Sequence, residues 1–432
     1  MWILLKLQYK RTVLIGFAFM SILAFWQFYD QVIPYLLENV FKLPTFTTNA
    51  IMSIDNVLAI FMLPLFGALS DRTHTRLGKR TPYILFGTLA AVILLGALAF
   101  FESIVYFPGF ITALVMLLVV MAIYRTPAVA YMPDVTEKPL RSKANAVINL
   151  VGYVGGIFAT VVMMFMLKSQ TNEAGEKVYA SDPSFVPVFL VIAGFMLVSV
   201  LVQTLALREN KIPHVQDAPE EVKNAGAKMP KDVLKSLILI LLSVFLWFTA
   251  YNAVTTAFSR YCATVWNADL SASSGYLLTA TISAIAAFMP LGFLSGKLGR
   301  KKTVLFGILL MTVNYALAVF LTKQTPIMYV CFALVGIGWA AINVNSFPMV
   351  VEMSSGSDVG KYTGFYYTFS MAAQIFTPLF SGVLIDWLGY RVLFPYAVIF
   401  SLLSFLTMCL VKHGDSKPLP KKDVLENFDV ED

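Results

Sequence analysis

The sequence predicts an all-α integral membrane protein, with twelve transmembrane helices forming two pseudo-symmetric six-helix bundles. Three observations predict it: a composition too apolar for water, twelve apolar blocks of membrane-crossing length, and a weak repeat between the two halves. Apolar residues make up 58% of the 432 and charged residues only 13%, against roughly a quarter charged in soluble domains. The mean hydropathy is +0.74.

The blocks run roughly over 12–37, 47–70, 82–101, 108–132, 144–168, 185–207, 234–261, 271–295, 303–322, 326–350, 361–385 and 392–411. Each is long enough to cross ~30 Å of hydrocarbon at ~1.5 Å per residue. The 361–385 block is the least apolar, and the charge pattern requires it.

An even number of spans puts both termini on one side. Lysine and arginine then divide twenty-five to five between the two sides, the minority being Lys42, Lys168, Lys177, Lys323 and Arg391. Basic loops stay in the cytoplasm, so both termini are expected there, with the chain multi-pass in an inner or plasma membrane. This also accounts for the net charge of +7, which marks a membrane face. No aromatic stacking platform accompanies the basic residues, so nucleic acid is not an expected partner. The first block follows Lys6, Lys10 and Arg11 as a signal peptide would, but it is too long and lacks a small-x-small cleavage site. It reads as an uncleaved first span. Cys262, Cys331 and Cys409 all fall in apolar blocks, at spacings unsuited to a metal or a disulfide framework.

The expected organisation is a first bundle over 1–207, a charged cytoplasmic linker over 208–233, a second bundle over 234–412 and a cytoplasmic tail over 413–432. The bundles echo one another. GALSDRTHTRLGKR (67–80) returns as GFLSGKLGRKK (292–302), a shift of 225 between the leading glycines. Trp26, Tyr29 and Asp30 find Trp247, Tyr251 and Asn252 at shifts of 221 to 222, and Pro127 finds Pro348 at 221. Two bundles related by an axis along the membrane normal form an architecture that places a solute between them near the midplane.

The pattern Gly-x-x-x-Asp-Arg…Gly-x-Arg between spans 2 and 3, with its second copy between spans 8 and 9, resembles the major facilitator superfamily. The extended form SDRTHTRLGKRTPYI resembles the glycoside–pentoside–hexuronide:cation symporters and the related sucrose transporters. So do YRTPAVAYMPDVTEKPLRSKANAVINLVGYVGG (124–156) and GIGWAAINVNSFPMVVEM (336–353). The resemblance implies secondary active transport by alternating access, with a cytoplasmic gate of Gly67, Asp71, Arg72, Gly78, Arg80, Asp134 and Arg141. It implies that Asp71, with Arg72, docks at the start of span 11 near Lys361 and latches the cytoplasmic side. The second copy has Gly296 in place of Asp71, so a latch is expected on one side only.

An ionisable side chain inside a span costs at least ~2.5–3.5 kcal/mol, so each needs a reason. Three stand out: Asp30, Asp55 and Arg125. Trp26, Gln27 and Asp30 share adjoining parts of one helix face, where an indole, an amide and a carboxylate suit a sugar ring and its hydroxyls. Asp30 and Asp55 are the candidate proton carriers, and Asn56 sits beside Asp55. Arg125 stays charged at any depth and must face a cavity, the solute or a carboxylate, with Asp134 and Glu352 as possible structural partners. In the second half Trp247, Tyr251, Asn252, Asn343, Asn345 and Gln374 offer uncharged polar groups for a hydroxyl-rich solute, with Asn149 a further amide in the first.

Melibiose-type relatives carry two carboxylates about one turn apart shortly before the proline that precedes the loop glycine. Counting back from Pro64, Leu63 and Ala59 hold those places, so a proton is expected in preference to sodium. His74, His214 and His413 all lie in cytoplasmic segments, leaving proton movement to the carboxylates. No Walker loop, zinc pattern or Ser–His or Cys–His pair is present, so no enzyme activity, cofactor or metal is expected. The expected partners are a small-molecule solute, most of all a sugar or glycoside, a coupling proton and the lipid bilayer, around a monomer. The alternative is a carrier of amphiphiles, drugs or lysolipids; a non-transporting sensor is a remote one.

Overall fold

The structure is a computed structural model that describes residues 7–166, 169–171, 177–179, 185–212, 230–266, 270–321, 323–354 and 358–415. Most of the linker expected over 208–233 and of the tail expected over 413–432 lies outside the described residues.

Among the described residues twelve helices are long and apolar enough to cross a membrane. Spans 1 to 6 are Tyr9–Glu38, Ala50–Asp71, Thr81–Ser103, Phe107–Asp134, Lys138–Met163 and Val186–Lys211. Spans 7 to 12 are Lys231–Cys262, Gly275–Leu298, Arg300–Phe320, Ile327–Glu352, Val359–Leu388 and Tyr390–Cys409. Span 11 has the lowest mean hydropathy, 1.5, in keeping with its place at the interface between the halves. Proline opens spans 3, 4 and 6, where its missing N–H has no intrahelical acceptor to lose. The helix of span 2 begins at Ile54, after a break at Ser53 that follows a short helix, Thr45–Met52. Phe61, Ile93, Phe165 and Phe320 point outward and are exposed, as lipid-facing residues are.

Lipid supplies no hydrophobic drive between helices, so close packing must do the work. Span 1 lies along span 5, and small residues bring the two backbones together. A Cβ on Gly155 would strike the carbonyl of Met20, and one on Gly152 would meet Phe19 and Leu23. In the second half a Cβ on Gly336 would strike the carbonyl of Ala280, binding span 10 to span 8.

The halves meet through span 2 against span 11 and span 5 against span 8. Spans 2 and 11 cross with Gly67 on Gly360 and with Pro64 on Gly364, near enough that a Cβ on any of these three glycines would collide with backbone. Gly292 packs on Ala146 between spans 8 and 5. Hydrogen bonds between the halves gather toward the end that carries the lysine- and arginine-rich loops, here the basic end. They extend inward as far as the Thr368 hydroxyl, which donates to the Ile60 carbonyl at 3.1 Å.

Gly155→Val is expected to cost about 1–3 kcal/mol by overpacking and to lower the thermal midpoint in detergent. Gly156→Ala, at a position where a Cβ meets only Gln27 Oε1 at 4.0 Å, is expected to leave it unchanged. Equal midpoints for the two variants would contradict the packing.

Candidate solute site and the closed end

At the basic end the Arg80 side chain is wholly buried. Its Nε donates to Asp134 Oδ2 at 2.7 Å, one Nη to Ser70 Oγ and the other to Asp71 Oδ1. Lys79 Nζ reaches the second oxygen of Asp134 at 3.1 Å. Asp71 then crosses to the other half, accepting from the backbone N–H of Gly360 at 2.9 Å and of Lys361 at 3.0 Å. Those groups open span 11, where free amides and the helix dipole favour an anion. Arg72, placed beside Asp71 by the family pattern, is instead exposed. The arginine that backs Asp71 is Arg80, because the loop doubles back through Gly78 at φ +110°.

Glu209, in the short turn that follows the α-helix Val186–Ala206 of span 6, closes the start of span 3. Its carboxylate accepts from the N–H of Lys79, Arg80 and Thr81 and from the Thr81 hydroxyl, at 2.8 to 3.1 Å. A Cβ on Gly78 would fall on this carboxylate. Arg141, also buried, donates to the carbonyls of Pro133 and Thr136 and so caps the end of span 4.

The second half carries a latch of its own, against the expectation of a latch on one side only. Arg300, 2% exposed, pairs with Glu352 and crosses to the first half, donating to Ser142 Oγ at 2.9 Å and to the Lys138 carbonyl. Asp415 accepts from the Arg300 N–H at 2.6 Å, beside Gly299 at φ +92°. The missing carboxylate at Gly296 is thus replaced by the guanidinium itself. Deeper in, Asn145 Nδ2 donates to the carbonyls of Asn343 and Val344 at 2.9 and 3.0 Å, joining span 5 to span 10.

Beyond these contacts lies a cavity of about 170 Å³, lined from spans 1, 4 and 5 of one half and spans 7, 10 and 11 of the other. Under the six-span repeat these are corresponding helices. Its polar lining is Arg125, Asn145, Asn149, Asn343, Tyr366, Tyr367, Ser370 and Gln374, with Phe248 and Trp339 as aromatic walls. The Arg125 guanidinium lies 5.5 Å from the Trp26 ring of span 1 and 4.8 Å from the Tyr367 ring of span 11. One ring comes from each half.

Arg125 also borders a smaller pocket with Trp26, Asp55, Ala59 and Leu63. Its charge interacts with both Asp55 and Asp30, and the two carboxylates with each other. Asp55 Oδ1 accepts from Asn56 Nδ2 at 2.9 Å. Arg125 Nε, Trp26 Nε1 and Tyr29 Oη are buried and have no hydrogen-bond partner among the described residues. Asp134 and Glu352, the structural partners considered for Arg125, are held by Arg80 and Arg300 instead.

Other sequence candidates are placed elsewhere. Asn345 is fully buried and donates to the Ala341 carbonyl at 2.8 Å, and Trp247 is a core residue, 1% exposed. Neither lines the central cavity, although Trp247 Nε1 and Asn345 Oδ1 have no hydrogen-bond partner among the described residues. Gln27 lies toward span 5 at Gly156. Asn252 is half-buried with its Nδ2 unpartnered among the described residues. Tyr251 stacks on Trp339, ring centroids 3.9 Å apart and planes 8° from parallel. Sequence reasoning passed over Asn145, Trp339 and Tyr367. Asn145 stands one turn before Asn149, and Trp339 one turn before Asn343, so helical spacing from the chosen amides would have found both.

Residues 14–407 match the MFS/sugar transport protein family. The chain belongs to that family, within the major facilitator superfamily, and is a multi-pass integral membrane protein. Among curated relatives it is 27% identical over 170 residues to an uncharacterized MFS-type transporter of Schizosaccharomyces pombe, covering 38% of each chain. It is 26% identical over 168 residues to the multidrug resistance protein MdtM of Escherichia coli, covering 38% of this chain and 40% of that one. The chain therefore matches less than half the length of these relatives. In fold it is similar to the Escherichia coli fucose:proton symporter FucP, at TM-score 0.74 and 13% identity over 94% of this chain and 98% of that one. A bacterial homologue of the iron transporter ferroportin in an outward-facing state aligns at TM-score 0.73 and 14% identity, over 93% and 99%.

Glu209→Gln keeps the side chain's size but removes the charge held by three backbone amides. It is expected to lower stability by about 1–2 kcal/mol, measured as a fall in thermal midpoint in detergent. An unchanged midpoint would show that the start of span 3 does not depend on this cap.

Proposed function

We propose that the chain moves a neutral, hydroxyl-rich solute, a sugar or glycoside, together with protons by alternating access. The observation that carries this reading is the cavity between the halves. Four amides and several aromatic side chains line it, and among the described residues its one lining charge is Arg125. Amides both donate to and accept from hydroxyls, and Phe248 and Trp339 supply aromatic walls for a sugar ring to pack against.

Arg125 cannot lose its charge at physiological pH. Asp55, which borders the same small pocket, and Asp30, exposed on span 1 and within reach of its field, are the nearby groups that can change charge. With both ionised the three-residue cluster carries one net negative charge, and one proton neutralises it. Ala59 and Leu63 fill the two places where a sodium-binding carboxylate pair would stand, and both are buried, which supports the proton. With the basic loops in the cytoplasm, the latches close the cytoplasmic side and the cavity faces outward. Protonation from outside and solute binding would then precede release of the latches.

The test is uptake of labelled sucrose, maltose and simple glycosides into proteoliposomes with and without an inward proton gradient. Accumulation is expected only with the gradient. Asp30→Asn and Asp55→Asn are each expected to cut accumulation at least about tenfold while leaving solute exchange measurable. Gradient-independent uptake would contradict proton coupling, and preferential uptake of amphiphilic drugs over sugars would contradict the solute class.

A further inference from the structure

An open groove of about 790 Å³ lies at the basic end, between the start of span 1 and the end of span 6. Four cationic side chains converge on it. Lys10 and Arg11 come from span 1, and Arg208 and Lys211 from the chain just after the helix of span 6. No acidic side chain lines it among the described residues. Leu14 and Leu205 also line it, the latter 79% exposed.

Leu14 stands one turn beyond Lys10 and Arg11, and Leu205 about one turn before Arg208, so each leucine lies on the membrane side of a cation. The apolar blocks of both spans stop at these cations. The charges thus stand at the level of lipid headgroups, and the leucines reach toward the acyl chains.

Elsewhere at this end the cations are matched: Lys79 and Arg80 with Asp134, Arg80 with Asp71, and Arg300 with Glu352. Lys10, Arg208 and Lys211 are exposed, and their side chains have no hydrogen-bond or ion-pair partner among the described residues. Arg11 gives one Nη to the Val135 carbonyl at 2.6 Å, a neutral partner. Helix N-termini favour acidic side chains, yet span 1 opens with two cations and no acidic residue in its first turn. The retention of basic loops in the cytoplasm accounts for cations at this end. It does not account for four of them, from two separate segments, meeting on one concave and partly apolar surface.

We propose that this groove binds an anionic phospholipid of the leaflet at the basic end. Its phosphate lies against Lys10, Arg208 and Lys211, and its acyl chains run along Leu14 and Leu205. A lipid held there joins span 1 to the turn that carries Glu209, and so bears on the cap of span 3. The site is independent of the solute and of the coupling ion.

The experiment is native mass spectrometry of the purified full chain in detergent, titrated with one of three probes. These are dioleoyl phosphatidylglycerol, dioleoyl phosphatidylcholine and glycerophosphoglycerol, the last having the anionic headgroup without acyl chains. Phosphatidylglycerol is expected to bind at least about tenfold more tightly than either of the others. The triple variant Lys10→Gln, Arg208→Gln, Lys211→Gln is expected to remove that preference. A control triple of exposed cations at the same end, Arg76→Gln, Lys297→Gln, Lys302→Gln, is expected to keep it. Arg11 is left in place because it holds the Val135 carbonyl. Lys10→Gln with Lys211→Gln provides the same reading, as a several-fold loss, should the triple fold poorly. Equal loss in the groove and control variants, or equal binding of the two lipids to wild type, overturns the site. Glycerophosphoglycerol binding as tightly as phosphatidylglycerol overturns the lipid in favour of a small anion. A preference that emerges only after Asp217→Asn, Glu220→Gln and Glu221→Gln overturns it in favour of the chain's own acidic segment.

Discussion

Two buried guanidiniums, one from each half, hold the basic end of the bundle together. Arg80 gathers the ends of spans 2 and 4 and steadies Asp71, which grips the opening amides of span 11. Arg300 pairs with the end of span 10 and reaches the start of span 5. Buried charges are tolerated only when paired and hydrogen-bonded, so each arginine is held by several elements at once. That requirement makes the contacts cooperative.

The central site follows from the same constraint one step deeper. Arg125 is a permanent charge among apolar helices, and among the described residues no carboxylate bonds to it directly. Two aromatic faces, the nearby fields of Asp30 and Asp55, and the cavity itself share that role. Because Trp26 belongs to one half and Tyr367 to the other, movement of the halves must alter the surroundings of the guanidinium. A change of charge at either aspartate acts on the same group. On the proposed proton-coupled reading, this is the physical route by which proton occupancy and the arrangement of the halves influence one another.

Much of the fold was legible because lipid imposes simple rules. Block length, the division of basic residues and the repeat at shifts of 221 to 225 lead to twelve helices in two bundles. Asp30, Asp55 and Arg125 were legible as charges that membranes rarely tolerate. What escaped was partner choice. Whether Arg72 or Arg80 backs Asp71 depends on the turn at Gly78, and no periodicity describes that turn. The latch at Arg300 escaped because the repeat was read as a lost aspartate; the retained arginine beside Gly299 was the informative residue. Asn345 and Trp247 were misplaced because residue type marks a group as costly to bury, while helix rotation decides what it faces.

The central claim is that Arg80 and Arg300 close one end and thereby leave the other open. Spin-label distances test it directly, using one pair at Arg76 and Lys302 on the basic end and another at Ser103 and Lys323 on the opposite end, all exposed positions. In the Arg80→Gln, Arg300→Gln double variant the first distance should lengthen and the second shorten relative to wild type. Distances that stay unchanged, or a basic end that opens without any shortening across the other, would contradict the account.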